Sequence, residues 1–265
     1  MRAETLTVGA RPVRVWRGGE GPPLVLLQGG MADAQAHWAS VWDALAERYA
    51  VVAPDWPGFG GSAPLPHPTW PKMLAWLSDF QAAAVGAPAA FVGNSFGATL
   101  ARLYAAAFPE AATAVVMING GGLAPDETLQ RLRSLPDDPE ALEAAGRAAL
   151  SREALSRMVA REETLTDAFV AACQANPAIL QILRDAAAGP APADFAPRCP
   201  ALVLWGEADR HTPADLGRAI ATGMPGADFV ALPRAGHLPQ LEAPSAVAAA
   251  LIDFLDPILF EKTRP

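Results

Sequence analysis

The sequence predicts a mostly parallel α/β sheet, covered by helices on both faces and interrupted once by an all-helical lid. Three observations carry this. Solid apolar runs such as Leu24-Val25-Leu26-Leu27 and Val51-Val52-Ala53 read as strands buried on both faces. Segments with apolar residues at helical spacing alternate with those runs. From Leu123 to about Pro197 strands vanish, alanine and charge rise, and helix starts repeat. The expected division is a core of residues 1–121 and 198–265 with a lid at 122–197.

Taken in order, Thr5-Leu6-Thr7-Val8 and Val13-Arg14-Val15-Trp16 alternate like half-exposed strands, joined by a Gly9-Ala10-Arg11-Pro12 turn. The strand at Leu24–Leu27 runs into Gln28-Gly29-Gly30-Met31. A helix follows with Trp38, Val41, Trp42 and Leu45 on one face. The strand at Val51–Pro54 ends in Asp55-Trp56-Pro57-Gly58-Phe59-Gly60-Gly61-Ser62. Thr69 is placed to cap a helix whose apolar face is Met73, Trp76, Leu77 and Phe80. Ala89-Ala90-Phe91-Val92 is a strand, and the helix after it stops at Pro109. Ala114–Ile118 is another, closing in Asn119-Gly120-Gly121-Gly122. Within the lid, Asp138-Pro139 and Asn176-Pro177 pair a cap with a proline at the first helical position. Beyond it come a strand at Ala201–Trp205, a helix opening at Thr212-Pro213, a strand at Phe229–Leu232 and a last helix from near Pro244.

Composition removes several classes of function. At 265 residues the chain fits one domain with a sizeable insertion. A net charge of −8 argues against nucleic-acid and anionic-membrane partners, which need a basic face. No apolar run is long enough to span a bilayer, and the first residues lack a signal-peptide core. Cys173 and Cys199 form no metal-ligand spacing and read as small buried hydrophobes, so a cytoplasmic setting without metal or cofactor is expected.

The chemistry centres on Gly93-Asn94-Ser95-Phe96-Gly97, which has a strand before it and a helix after it. A serine at such a turn is strained, with its hydroxyl pushed outward, and glycines flank it because side chains there would collide. The helix N-terminus behind it supplies unpaired N–H groups where an oxyanion would form. A serine hydroxyl needs a base, and the base needs a partner to hold its tautomer. Of His37, His67, His211 and His237, the last lies just past a strand end, where open α/β sheets put their ligands. Asp209, in Trp205-Gly206-Glu207-Ala208-Asp209, is the favoured acid. Glu207 and Asp215 are rivals, and an acid after the strand at 114–118 stays open in principle, although Asn119, not Asp, stands there. Ser95, Asp209 and His237 are therefore the expected catalytic set.

These motifs resemble the α/β-hydrolase family. Gly93–Gly97 is similar to its nucleophile elbow, Asp55–Ser62 to the loop after its fourth strand, and Trp205–Asp209 to its acid loop. Gly236-His237 with Glu242 and Pro244 is similar to its histidine loop. The resemblance covers residues 20–121 and 198–260, not the lid. It implies an oxyanion hole made by the backbone N–H groups of Gly30 and Phe96. Two positions depart from the family's pattern. Gln28 stands where histidine is usual, leaving the bracing of that loop open, and Ala98 replaces a second glycine. Asp55 is read as fixing the Gly-Phe-Gly loop. The apolar lid residues Leu129, Leu132, Leu142, Leu155, Met158, Phe169, Ile179 and Leu183 are read as the inner face of its helices. A pocket roofed by a few of them with Met31, Phe96 and Leu238 is expected.

The first functional reading is a cofactor-free serine hydrolase acting on a small or medium carboxylic ester, thioester or lactone with an apolar group. The alternative is a carbon–carbon bond hydrolase, because Asn119–Pro125 resembles the loop before the lid in the meta-cleavage-product hydrolases. That family commonly has a tryptophan after its catalytic histidine, where this chain has Leu238, and takes an arginine from the lid, for which Arg157, Arg161 and Arg184 are candidates. A binding module that senses a small ligand in a lidded pocket ranks below both.

Overall fold

The computed structural model describes residues 1–122, 126–176, 179–188 and 196–260. Its strands are β1 (Arg2–Val8), β2 (Arg11–Gly18), β3 (Pro23–Leu27), β4 (Ala50–Pro54), β5 (Ala89–Asn94), β6 (Ala112–Ile118), β7 (Ala201–Gly206) and β8 (Asp228–Leu232). They form one eight-stranded sheet in the order β1-β2-β4-β3-β5-β6-β7-β8. The β1–β2 hairpin pairs antiparallel with itself and with β4. Every other pairing is parallel.

Core helices are α1 (Ala34–Ala46), α2 (Trp70–Ala84) and α3 (Phe96–Ala107), then α9 (Ala214–Thr222), α10 (Pro239–Glu242) and α11 (Pro244–Phe260). Between β6 and β7 lie α4 (Asp126–Arg133), α5 (Pro139–Ala149), α6 (Arg152–Ser156), α7 (Asp167–Gln174) and α8 (Ile179–Ala188). No helix among the described residues is long and apolar enough to cross a membrane.

The period of two along each strand divides the core between the faces. Leu24, Leu26, Val92, Val116, Ile118 and Leu204 face one way, against Trp38, Val41 and Leu45 of α1 and Val247, Leu251 and Leu255 of α11. Val25, Leu27, Phe91, Val115, Met117 and Val203 face the other way, against α2, α3 and insertion residues such as Leu155, Phe169 and Ile179. Each such side chain contributes about 1.5–3 kcal/mol by leaving water, so the central strands are held from both sides. That explains why their sequences show no alternation.

The expected elements are present, with local differences. Thr69 occupies the N-cap of α2 without a side-chain bond, because Pro71 leaves one fewer N–H to satisfy. Asp138 caps α5 by accepting from Ala141 N–H. Asn176 does not cap: its Oδ1 accepts from Gly60 N–H at 2.8 Å, tying the insertion to the core, and Pro177 lies outside the described residues. The short helix α10 was not anticipated. Of the apolar insertion residues, Leu142, Leu155, Phe169 and Ile179 are buried. Leu132, Met158 and Leu183 are half-buried, and the side chain of Leu129 lies outside the described residues. Cys173 is buried and Cys199 half-buried.

Asp55 braces the loops beneath the site, as expected. Its wholly buried carboxylate accepts from Ala34 N–H at 3.0 Å and Gly61 N–H at 2.9 Å and pairs with Arg14, which also reaches Asp33 at 2.6 Å. Truncation would leave two N–H groups without their acceptor and take one of the two carboxylates that pair with the partly buried Arg14. Asp55→Ala is expected to cost about 3 kcal/mol, read as a lower urea midpoint with an unchanged slope.

Candidate active site

Ser95 sits between the last residue of β5 and the first of α3, at φ 52° and ψ −115°. A non-glycine residue there costs about 1–3 kcal/mol, which its neighbours must offset. Ser95 N–H donates to Ile118 O at 2.9 Å, and its carbonyl accepts from Ala98 and Thr99. The turn also demands close backbone approach. A Cβ on Gly97 would collide with the carbonyls of Leu27 and Gln28, and one on Gly120 would stand 2.7 Å from Ser95 Cα.

The three expected residues come together. His237 Nε2 lies 3.0 Å from Ser95 Oγ, and His237 Nδ1 lies 2.8 Å from Asp209 Oδ2. Because the carboxylate is acceptor-only, Nδ1 carries the proton and Nε2 offers its lone pair to the serine hydroxyl. Asp209 also accepts from His211 N–H at 2.8 Å, Thr212 N–H at 2.9 Å, Thr212 Oγ1–H at 2.6 Å and Asn119 Nδ2–H at 2.6 Å. Burial alone raises its pKa, but the bonds from His237 and Thr212 with the nearby imidazole outweigh burial, and the net direction is down. The rivals stand elsewhere: Glu207 is exposed and 3.9 Å from Arg218, and Asp215 is exposed in the first turn of α9.

The N–H groups of Gly30 and Phe96 have no acceptor among the described residues, as a site for an oxyanion requires. Gln28, fully buried, braces the first of these loops by donating from Nε2 to Ala32 O at 3.2 Å. Ile179 of α8 closes over Gly30, where a Cβ would collide with its side chain. Phe96 is held between Trp70, stacked at 5.2 Å, and Trp56, edge-on at 6.0 Å. Met31 and Leu238 belong to the same apolar cluster as Phe96 and are 5% and 0% exposed. The lid arginines expected as candidates are engaged: Arg157 with Glu153, Arg161 with Glu163, and Arg184 with Pro136 O, Asp137 and Gln181.

Several supports escaped the sequence reading. Asn94 Nδ2 donates to Ile118 O and to His237 O, each at 3.1 Å, so the residue before the serine fixes the carbonyl of the histidine. Asn119 bridges Asp209 and Gly206 N–H. Both stand as polar residues at the ends of buried strands, and that was the available signal. Thr212, read only as a helix opener, offered none. His211 packs edge-on against His237 with centroids 4.8 Å apart.

His37 is a further buried polar group beneath the site. Its Nε2 lies 2.9 Å from Asn94 Oδ1 and 3.2 Å from Gly29 N, while Nδ1 is buried without a partner. Two carbonyls orient the Asn94 amide, so Nε2 carries the hydrogen. Burial pushes the pKa down from 6.5 to about 4. The unfolded chain therefore binds more protons between those values, and stability is lost as pH falls from 6.5 toward 4, by about 3 kcal/mol at most. His37→Gln keeps a donor near Nε2 without the titration. Its urea-unfolding free energy is expected to fall less than the wild type's between pH 7 and pH 4.5, the difference isolating this residue.

A family model described as "Alpha/beta hydrolase family" matches residues 24–250. The chain is 28% identical to a 2-hydroxy-6-oxononadienedioate/2-hydroxy-6-oxononatrienedioate hydrolase of Paraburkholderia phymatum, over 89% of this chain and 88% of that protein. It is also 28% identical to a 2-hydroxy-6-oxo-6-phenylhexa-2,4-dienoate hydrolase of Burkholderia cepacia, with the same coverages. Among solved structures, an esterase from Thermogutta terrifontis superposes with a TM-score of 0.82 at 23% identity, covering 98% of this chain and all of that one. The last is a likeness of fold alone. The names of the two relatives favour the carbon–carbon alternative over the ester reading placed first from the sequence.

Proposed function

The chain belongs to the alpha/beta hydrolase family, and on that premise we propose a cofactor-independent serine hydrolase. Ser95 is the nucleophile, His237 the base, and Asp209 the group that holds the base's tautomer. The 3.0 Å approach of His237 Nε2 to Ser95 Oγ, with Asp209 on the opposite nitrogen, is the observation that carries this reading. Ser95 Oγ attacks a carbonyl carbon and gives its proton to Nε2. The oxyanion falls to the N–H groups of Gly30 and Phe96, each donor contributing about 3 kcal/mol. Collapse expels the leaving group, which takes the proton back from His237. Water activated by the same imidazole then releases the acyl group from Ser95.

For the bond cleaved, the order drawn from the sequence is reversed. The relatives' substrates put carbon–carbon hydrolysis first: a ketone flanked by a chain that can hold an electron pair as a dienolate. The substrate's enol must ketonise before attack. The bond then breaks toward that chain, and His237 protonates the carbon fragment. A carbon leaving group needs this conjugated sink, whereas an ester does not. Ester hydrolysis stays as the second reading because the lid arginines are engaged within the insertion and Leu238 beside the base is apolar. Both favour an uncharged group over an anionic diene.

The two readings separate on one enzyme preparation. With 2-hydroxy-6-oxo-6-phenylhexa-2,4-dienoate and an aryl butyrate, kcat/KM is expected to be at least about tenfold higher for the dienoate, a difference of about 1.4 kcal/mol in barrier. Ester turnover with no dienoate consumption would establish the second reading instead. Activity in Ser95→Ala equal to the wild type's would remove the serine mechanism from both.

A further inference from the structure

The loop that carries His237 leaves the sheet after β8 and has no regular hydrogen-bonding partner of its own, so its backbone groups must be satisfied from elsewhere. Three sources supply them. Asn94, from the nucleophile's strand, holds the carbonyl of His237. Glu242 Oε1 accepts from Gly236 N–H at 3.0 Å and from Leu238 N–H at 3.3 Å, one on each side of the histidine. The N–H of His237 itself donates at 2.8 Å to the carbonyl of Met158, which belongs to the helical insertion.

Glu242 also crosses to that insertion. Its Oε2 accepts from Ala160 N–H at 2.7 Å, two residues beyond Met158. The carboxylate is 1% exposed and has no ion-pair partner among the described residues, so backbone N–H groups alone satisfy it. The approach is tight: a Cβ on Gly236 would stand 2.7 Å from Met158 O and from Ala160 N. Two hydrogen bonds within the histidine loop and two that cross to the insertion, about 80 residues away in the chain, thus make one knot around the imidazole's backbone.

We propose that Glu242 is a positioning residue that ties the His237 loop to the Met158–Ala160 segment, so that the base stands at Ser95 only when the insertion is docked. This rests on His237 acting as the base. The carboxylate is needed because both of its oxygens accept. A glutamine of the same shape turns one oxygen into an NH2 donor that faces an N–H. The loss falls on the alignment of His237 more than on substrate affinity, because Glu242 is buried and both its oxygens are taken by backbone N–H groups.

Hydrogen exchange read by mass spectrometry on the full wild-type chain provides the first test. The amides of Ala160, Gly236, His237 and Leu238 should open together, with protection factors within about tenfold of one another, as one cooperative unit. Ala160 exchanging about a hundredfold faster than His237 would overturn the coupling. The second test is Glu242→Gln, with kcat counted per serine titrated by a fluorophosphonate so that unfolded protein drops out. We expect kcat to fall about tenfold or more with KM within about threefold, and the four amides to lose protection while those of β5 keep theirs. A per-site kcat within about twofold of wild type would assign Glu242 a purely structural part. His237→Ala checks the premise separately: if it labelled at the wild-type rate, the base would be wrong while the exchange result stood.

Discussion

The close approach of the first turn of α3 to the ends of β3 and β5 is the constraint on which the rest of the structure depends. With no side chain at Gly97, the helix can start directly against the carbonyls of Leu27 and Gln28. That contact forces the reversal at Ser95 into positive φ and turns its hydroxyl out of the sheet. The same geometry leaves the Phe96 N–H without an intrahelical partner, next to the Gly29-Gly30 turn. The proposed nucleophile and oxyanion donors are therefore products of one packing decision, and the strain at Ser95 is held by bonds to Ile118 and Thr99.

Burying that turn created a second problem, because polar groups lie beneath it. Asn94, His37, Asn119, Asp209 and His237 are all buried. A buried polar group left unpaired costs about 1–3 kcal/mol, so each finds its partner among the others or in a strand-end carbonyl. The result runs from His37 through Asn94 to the backbone of His237, and from its imidazole through Asp209 to Asn119. The chain that satisfies buried polarity is thus also the chain that fixes the imidazole at Nδ1 and at its backbone. The insertion enters through Met158, Asn176 and Ile179, which reach the histidine loop, the Gly60 loop and the Gly30 turn.

Much of this was legible in the sequence, for physical reasons. Strands buried on both faces have to be solid apolar runs, so Leu24–Leu27 and Ala201–Trp205 announced themselves. The Gly-x-Ser-x-Gly turn is a local steric requirement, and local requirements leave local marks. Asp209 could be chosen over Glu207 because position relative to a strand end decides what a side chain can reach. What did not show was contact between distant segments. Thr212 bonding to Asp209 and Met158 O accepting from His237 depend on three-dimensional placement, and the second involves no side chain at all. Met31 and Leu238, expected to line a pocket, are buried in the same apolar cluster as Phe96, and apolar character alone does not separate a wall from a core. On the substrate, the names of the relatives favour the carbon–carbon alternative over the ester reading placed first, and a single leucine beside His237 is a weaker signal than likeness over 89% of the chain.

The central claim is that Ser95 is made nucleophilic by His237 and meets an oxyanion site at Gly30 and Phe96. It is tested most directly by reaction with a fluorophosphonate, followed by peptide mapping. An activated hydroxyl attacks phosphorus as it attacks carbonyl carbon, so the adduct should appear once per chain on the peptide holding Ser95, and His237→Ala should slow its formation by about a hundredfold or more. An adduct on another serine, or labelling of Ser95 at an unchanged rate in His237→Ala, would contradict the account.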